Sequence, residues 1–156
     1  IQCDIIHTSI ARPPQYVAVS HRWDSSGAPQ EMILLDGGLF PVSRSIHSLL
    51  MAKRSNLHPR YFWIDSICIN QKDNVEKSKQ VGLMRNIYEE ADMTLGWLGE
   101  DPGAKKAVSL IKRIAGITSV DALSSLCSEP DSGWIEFEKF MSNEWFERVW
   151  IVQEIA

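Results

Sequence analysis

Apolar residues fall along this chain in short blocks separated by polar, turn-forming stretches, and the spacing within a block distinguishes strands from helices. Tyr16-Val17-Ala18-Val19-Ser20 is rich in β-branched residues and follows Pro13-Pro14, which suits a buried strand entered from an extended segment over residues 1–15. A turn-forming stretch from Asp24 to Gln30 follows. Met32-Ile33-Leu34-Leu35 ahead of Asp36-Gly37-Gly38 then predicts a small hairpin around a tight turn. At Ser43 the period changes to helical: Ser43 is placed as N-cap, with Ile46, Leu49 and Leu50 on one face and Lys53-Arg54 at the C-terminal end.

Tyr61-Phe62-Trp63-Ile64-Asp65 is nearly continuous in apolar character, as expected of a parallel strand covered on both faces. After a polar loop, Asp73 and Glu76 stand in capping-box spacing, and Val81, Met84, Ile87, Tyr88 and Ala91 recur at helical intervals. Met93 to Leu98 is a third strand, closed by Gly99 and turned by Asp101-Pro102-Gly103. Ala107, Leu110, Ile111 and Ile114 give a further helix. The Ser- and Thr-rich residues from Thr118 to Pro130 are expected to be a helix-poor connection, Trp134, Phe137 and Phe140 a helix, and Asn143 the cap of a last helix carrying Phe146, Val149, Trp150 and Gln153. Strand, helix, strand in that order predicts a βαβ unit. The expected architecture is α/β: a short parallel sheet flanked by helices in three layers, with a small β-hairpin after the first strand and a helical insert between Asp101 and Ser142.

Composition supports one ordinary globular domain: 156 residues, 44% hydrophobic and 23% charged, are enough to bury a sizeable core. With 16 basic and 20 acidic residues the net charge is −4 and no basic stripe forms, so no nucleic-acid partner is expected. Cys3, Cys68 and Cys127 are odd in number and widely spaced, which argues against a disulfide framework or a structural zinc and fits a reducing, cytoplasmic setting. No apolar run approaches a membrane span, and the N-terminal stretch lacks the plan of a signal peptide. The chain has no initiator Met and stops in mid-pattern at Glu154-Ile155-Ala156, so a piece of a longer protein is expected.

In an open parallel sheet, ligands bind beyond the carboxyl ends of the strands, where loops and helix N-termini converge. Here those ends are polar: Ser20-His21-Arg22-Trp23-Asp24 after the first strand, Asp65-Ser66 with Cys68, Asn70 and Gln71 after the second, Gly99-Glu100 after the third. Cys68, His21 and Asp65 are the residue types of a thiol nucleophile, its base and an orienting carboxylate. Equally, Cys68 packs as a small hydrophobe and Asp65 caps the following loop. His21 has no second His or Cys at ligand spacing, and no metal site is expected. The glycines form neither GxGxxG nor a Walker loop. Five tryptophans sit at core spacing, whereas Trp23 follows a strand end among polar neighbours, where it suits stacking on a flat ligand.

Taken in order, Tyr16-Val-Ala-Val-Ser-His-Arg-Trp23, Trp63-Ile-Asp-Ser-Ile-Cys-Ile-Asn-Gln71, Gln80-Val-Gly-Leu-Met-Arg-Asn-Ile-Tyr88, Trp97-Leu-Gly99 and Trp145-Phe-Glu-Arg-Val-Trp-Ile-Val-Gln-Glu154 resemble the blocks of the fungal heterokaryon incompatibility (HET) domain. The resemblance runs from residue 16 to 156. It departs where the family has Ser-Tyr-x-Trp-Gly and this chain has Ser20-His21-Arg22-Trp23-Asp24. It implies an intracellular fungal effector of programmed cell death in non-self recognition. The family is in turn similar to TIR domains, which implies a TIR-like, flavodoxin-like sheet. Ser20 to Asp24 resembles the TIR strand-end loop, and Trp150-Ile-Val-Gln-Glu154 the TIR Trp-x-x-x-Glu helix. That likeness implies NAD hydrolysis with Glu154 as the catalytic carboxylate and Ser20, His21, Arg22, Trp23, Asp65 and Trp150 about the substrate, Arg22 meeting the pyrophosphate and Trp23 a ring. NAD would be substrate, and no resident cofactor is implied. The implied partners are further copies of the chain or related death-signalling domains. A non-catalytic adaptor working by self-association stands as the alternative.

Overall fold

The computed structural model describes residues 1–25, 27–55, 57–130 and 132–148. Two compact units emerge among the described residues, one formed by residues 1–99 together with Arg148, the other by residues 100–147. The first unit carries both sheets.

Strand β1 (Gln2–Cys3) is followed by β2 (Val17–His21) and by the hairpin β3 (Gln30–Leu35) and β4 (Gly38–Ser43). Asp36 and Gly37, at φ 49° and 78°, make the two-residue turn, and consecutive positive φ values match the right-handed twist of the two strands. Helix α1 (Arg44–Lys53) starts where the Ser43 hydroxyl accepts the Ile46 amide, as its capping position predicts. Strand β5 (Phe62–Trp63) leads into the one-turn helix α2 (Asp65–Cys68). Helix α3 (Asn74–Glu89) is capped by Asp73, whose carboxylate accepts the amides of Val75 and Glu76, and β6 (Met93–Trp97) closes the set.

The strands form two three-stranded sheets. In the parallel sheet, ordered β5-β2-β6, Val17 lies opposite Phe62 on one side and Met93 on the other. The second sheet, ordered β1-β3-β4, is mixed: β1 runs parallel to β3, and β3 pairs antiparallel with β4. Alternation along β2 divides the core. Val19 packs with Ile33, Val42, Ile46 and Leu49, so α1 and the hairpin share one cluster. Ala18 and Tyr16 pack with Met84, Ile87 and Tyr88 of α3 on the other side. Helices thus flank β2 on both faces, and two phenols lock the second cluster: Tyr16 donates to the Ile87 carbonyl and Tyr88 to that of Val19.

The second unit is the expected helical insert, spanning residues 100–147. Helices α4 (Ala104–Ala115) and α6 (Trp134–Met141) pack closely, and at Gly133 (φ 92°) a Cβ would come within 3.3 Å of the Lys106 carbonyl oxygen.

Several expectations are corrected. Residues 118–130 are not helix-poor: α5 (Val120–Cys127) forms there, capped by Ser119, whose hydroxyl accepts the Ala122 amide. The strand expected over 61–65 is two residues long, because α2 begins at Asp65. The N-terminal segment is not merely extended, since β1 adds to the hairpin. Asn143 caps only a single 3-10 turn, Glu144–Glu147, among the described residues, its side-chain oxygen accepting the Trp145 amide. The expected continuation through Val149, Trp150 and Gln153 lies outside the described residues.

Candidate functional site

At the carboxyl end of β2 the sheet presents two buried polar side chains, Ser20 and His21, of which His21 is 2% exposed. Burying them demands partners. His21 Nε2 lies 3.0 Å from Ser66 Oγ and 3.5 Å from Asp65 Oδ1. Nε2 therefore faces a hydroxyl and a carboxylate oxygen together, and the tautomer of the ring sets which of them it serves. Asp65 also accepts the Trp23 indole N–H through Oδ2 at 2.9 Å, so the carboxylate joins two rings that are edge-on to each other at 6.4 Å. Arg148 Nη1 donates to Ser20 Oγ at 3.0 Å, and Gln71 Nε2 donates to the Asp65 carbonyl at 3.0 Å.

Local structure explains the convergence. β2 and β5 are parallel neighbours, so the residues that follow them emerge at the same end of the sheet. The chain turns into α2 immediately after β5, which sets Asp65 and Ser66 in its first turn beside His21. Burial raises the Asp65 pKa, while the bonds from the Trp23 indole and the Ser66 amide and the charge of Arg148 oppose the rise. A cavity of about 360 Å³ adjoins the cluster, with His21, Trp23 and Ser66 on one side and Pro41 and Val42 on another, and Asp24 also in its lining.

Of the expected site residues, His21, Trp23 and Asp65 are brought together, while Ser20, beside His21 on β2, bonds to Arg148. Arg22 is exposed directly beyond β2. Trp150 and Glu154 lie outside the described residues. Two features were not anticipated: the bond between His21 and Ser66, and Arg148 as a cation close enough to influence Asp65. A single arginine 128 positions from Ser20 gives no local signal. Ser66 was visible as a strand-end polar residue, but its partner was not.

The thiol-nucleophile arrangement is not formed. Burial raises the Cys68 pKa, and its sulfur lies 3.4 Å from the Ile64 amide and 3.9 Å from the Phe62 carbonyl, both on its own segment. A catalytic thiol needs the opposite shift. Nor do Ser66, His21 and Asp65 make a hydrolase triad, because the hydroxyl and the carboxylate approach the same imidazole nitrogen. Among the described residues no group of three or more His, Cys, Asp or Glu side chains is placed to hold a metal ion. No helix among them is long and apolar enough to cross a membrane.

Against this geometry stand the comparisons with known proteins. The family described as Heterokaryon incompatibility protein (HET) matches residues 16–154. Heterokaryon incompatibility protein 6, OR allele, of Neurospora crassa is 31% identical over 199 aligned positions, which take in the whole of this chain and 29% of that relative's length. No solved structure matches.

Proposed function

Since the chain belongs to the heterokaryon incompatibility (HET) family, we propose that it is the effector module of a fungal incompatibility response, triggering cell death from the cytoplasm by hydrolysing NAD. The observation that carries the reading is the polar cluster of His21, Asp65, Ser66 and Trp23 at the carboxyl end of the parallel sheet, beside a cavity.

In the proposed reaction the bond from ribose C1′ to the nicotinamide nitrogen breaks, nicotinamide leaves with the electron pair, and water adds at C1′, releasing one proton. Positive charge develops on the ribose, and a fixed carboxylate, assigned to Glu154, stabilises it. Trp150 stands four residues before it, and were this stretch helical the two would share a face, so that packing of Trp150 would aim the carboxylate. The Asp65 bond holds the Trp23 indole edge while the residue remains 46% exposed, an arrangement suited to stacking. Asp24 and Asp65 oppose a dianionic pyrophosphate, so Arg22 and Arg148 must outweigh them.

The test is nicotinamide release from NAD by folded, self-associated protein beside the Glu154→Gln variant. Release that vanishes in the variant supports the reading; its absence from assembled protein overturns it. A second reading, an adaptor acting by self-association or by binding related death-signalling domains, draws on the hairpin. Met32 and Leu39, 49% and 75% exposed, stand on the same face as their cross-strand partners Pro41 and Leu34. Loss of killing on Leu39→Lys, with killing retained in Glu154→Gln, would favour it.

A further inference from the structure

We propose that the first unit contains a second site, separate from the polar cluster, that binds a single-chain apolar molecule with an anionic head group. The observation is a cavity of about 370 Å³ between the N-terminal segment and the edge of the parallel sheet. Its inner wall is apolar: Phe62 and Trp63 of the edge strand β5, Ile67 of α2, Leu83 and Ile87 of α3. The outer wall is the segment that follows β1, including Ile6 and Pro13. A half-open space of this size with such a lining has the dimensions and chemistry of a ligand pocket.

The outer wall also supplies a way in. Between β1 and β2 the chain has no strand or helix. It is pinned near one end, where the Ile5 amide donates to Asp36 Oδ1 at 2.9 Å, and at the other by β2. Over residues 6–15 its described bonds are short-range, such as Arg12 N–H to the Ser9 carbonyl, and Tyr16 next to β2 is held by Ile87 and Asp92. A strap held at its ends and weakly bonded between them opens at low cost.

The head group follows from Arg60. Arg60 is part of the lining, and its guanidinium donates through Nη1 to the Lys53 carbonyl at 3.1 Å and makes no ion pair among the described residues. The rest of its planar N–H fork matches a carboxylate. Asp4, also in the lining, would suit a cationic head instead, so a comparison of head groups decides the matter. Helix α2 joins this site to the other: Asp65 and Ser66 serve the polar cluster, while Ile67 and Cys68 line the cavity.

Cysteine supplies the readout. Cys3 and Cys68 line the cavity, and Cys127 is exposed in the other unit. The intact protein would be treated with a thiol reagent, with and without dodecanoate held below its micelle concentration, and modification of each cysteine followed by peptide mass spectrometry. Dodecanoate is expected to slow modification of Cys3 and Cys68 at least fivefold and to leave Cys127 unchanged. Leu83→Trp, which fills the cavity from a partly exposed position, should abolish the protection, with Ile6→Trp on the strap as the alternative if Leu83→Trp disturbs the fold. Arg60→Gln should weaken dodecanoate about tenfold and leave dodecanol unaffected. The proposal is overturned if dodecanoate gives no protection, or if protection survives in the folded cavity-filling variant. It is also overturned if dodecyltrimethylammonium protects as well as dodecanoate. None of these readouts depends on NAD hydrolysis, so this site and the polar cluster stand or fall separately.

Discussion

Asp65 offers the sharpest test of how the candidate site is held. Its side chain, 14% exposed, accepts the Trp23 indole and the Ser66 amide and lies 3.5 Å from His21 Nε2. Asp65→Ala removes all three interactions. A hydrogen bond to a charged acceptor contributes ~1.5–3 kcal/mol, but water takes over the half-exposed indole bond, and relief from burying a charge offsets part of the remainder. The expected net loss is about 2 kcal/mol, or a fall of about 4–8 °C in the melting temperature of a chain of this size. Asp65→Asn keeps an acceptor and removes the buried charge, so it should cost less than half as much. Urea denaturation followed by far-ultraviolet circular dichroism measures both variants, and native-state tryptophan emission reports on Trp23. An unchanged midpoint in Asp65→Ala, with unchanged emission, would refute the idea that this carboxylate ties β2 to α2. Equal losses in the two variants would show that charge, and not hydrogen-bond acceptance, is what matters.

The raised pKa of Asp65 carries a pH dependence. The folded chain binds this proton more tightly than the unfolded chain, so stability falls as pH rises from the ordinary aspartate value through the raised one and stays reduced above it. Subtracting the Asp65→Asn profile from that of the parent should isolate this slope, and a flat or opposite difference would contradict it. Gly37→Val should cost about 1–3 kcal/mol in chemical denaturation through backbone strain alone, because φ is 78° and a Cβ there would meet nothing within 4 Å. Gly37→Asn should be far milder, and equal costs would refute the turn assignment. In alkylation near neutral pH, exposed Cys127 should react about tenfold faster than Cys68, whose thiol is held back by burial and a raised pKa. A Cys68 that reacts first would revive the nucleophile reading.

What the sequence disclosed was whatever depended on neighbours along the chain. Ser43 and Asp73 cap helices within three residues of themselves, and the period through Met84, Ile87 and Tyr88 marks the buried face of α3. The Asp36-Gly37 turn is equally local. Features made by distant residues left no comparable trace. Gln2-Cys3 is too short to show a period, and it becomes a strand because Leu34 and Leu35 offer a partner. α2 is a single turn, so its start looked like the end of a strand. At α5 the signal was present but outweighed: Ser119 caps the helix, and Leu123, Leu126 and Cys127 follow helical spacing, yet the density of Ser suggested a loop. In the site, residue types at the strand ends were legible. The choice of Ser66 and Asp65 as partners for one nitrogen of His21 was not, because it depends on the register between β2 and β5.

The same register bears on the order in which the chain assembles. The hairpin closes across a two-residue turn and can form on the microsecond scale, as can the individual helices. The bonds that build the candidate site span far more chain: 45 positions from His21 to Ser66, and 128 from Ser20 to Arg148. Contacts of such separation incur their loop-closure entropy before any packing repays it, and parallel pairing is slow for that reason. The polar cluster is therefore among the last parts of the first unit to form. A nascent or partly unfolded chain would carry a formed hairpin and helices without a working site, so any activity lodged there is withheld until the chain has returned from the second unit and Arg148 has docked.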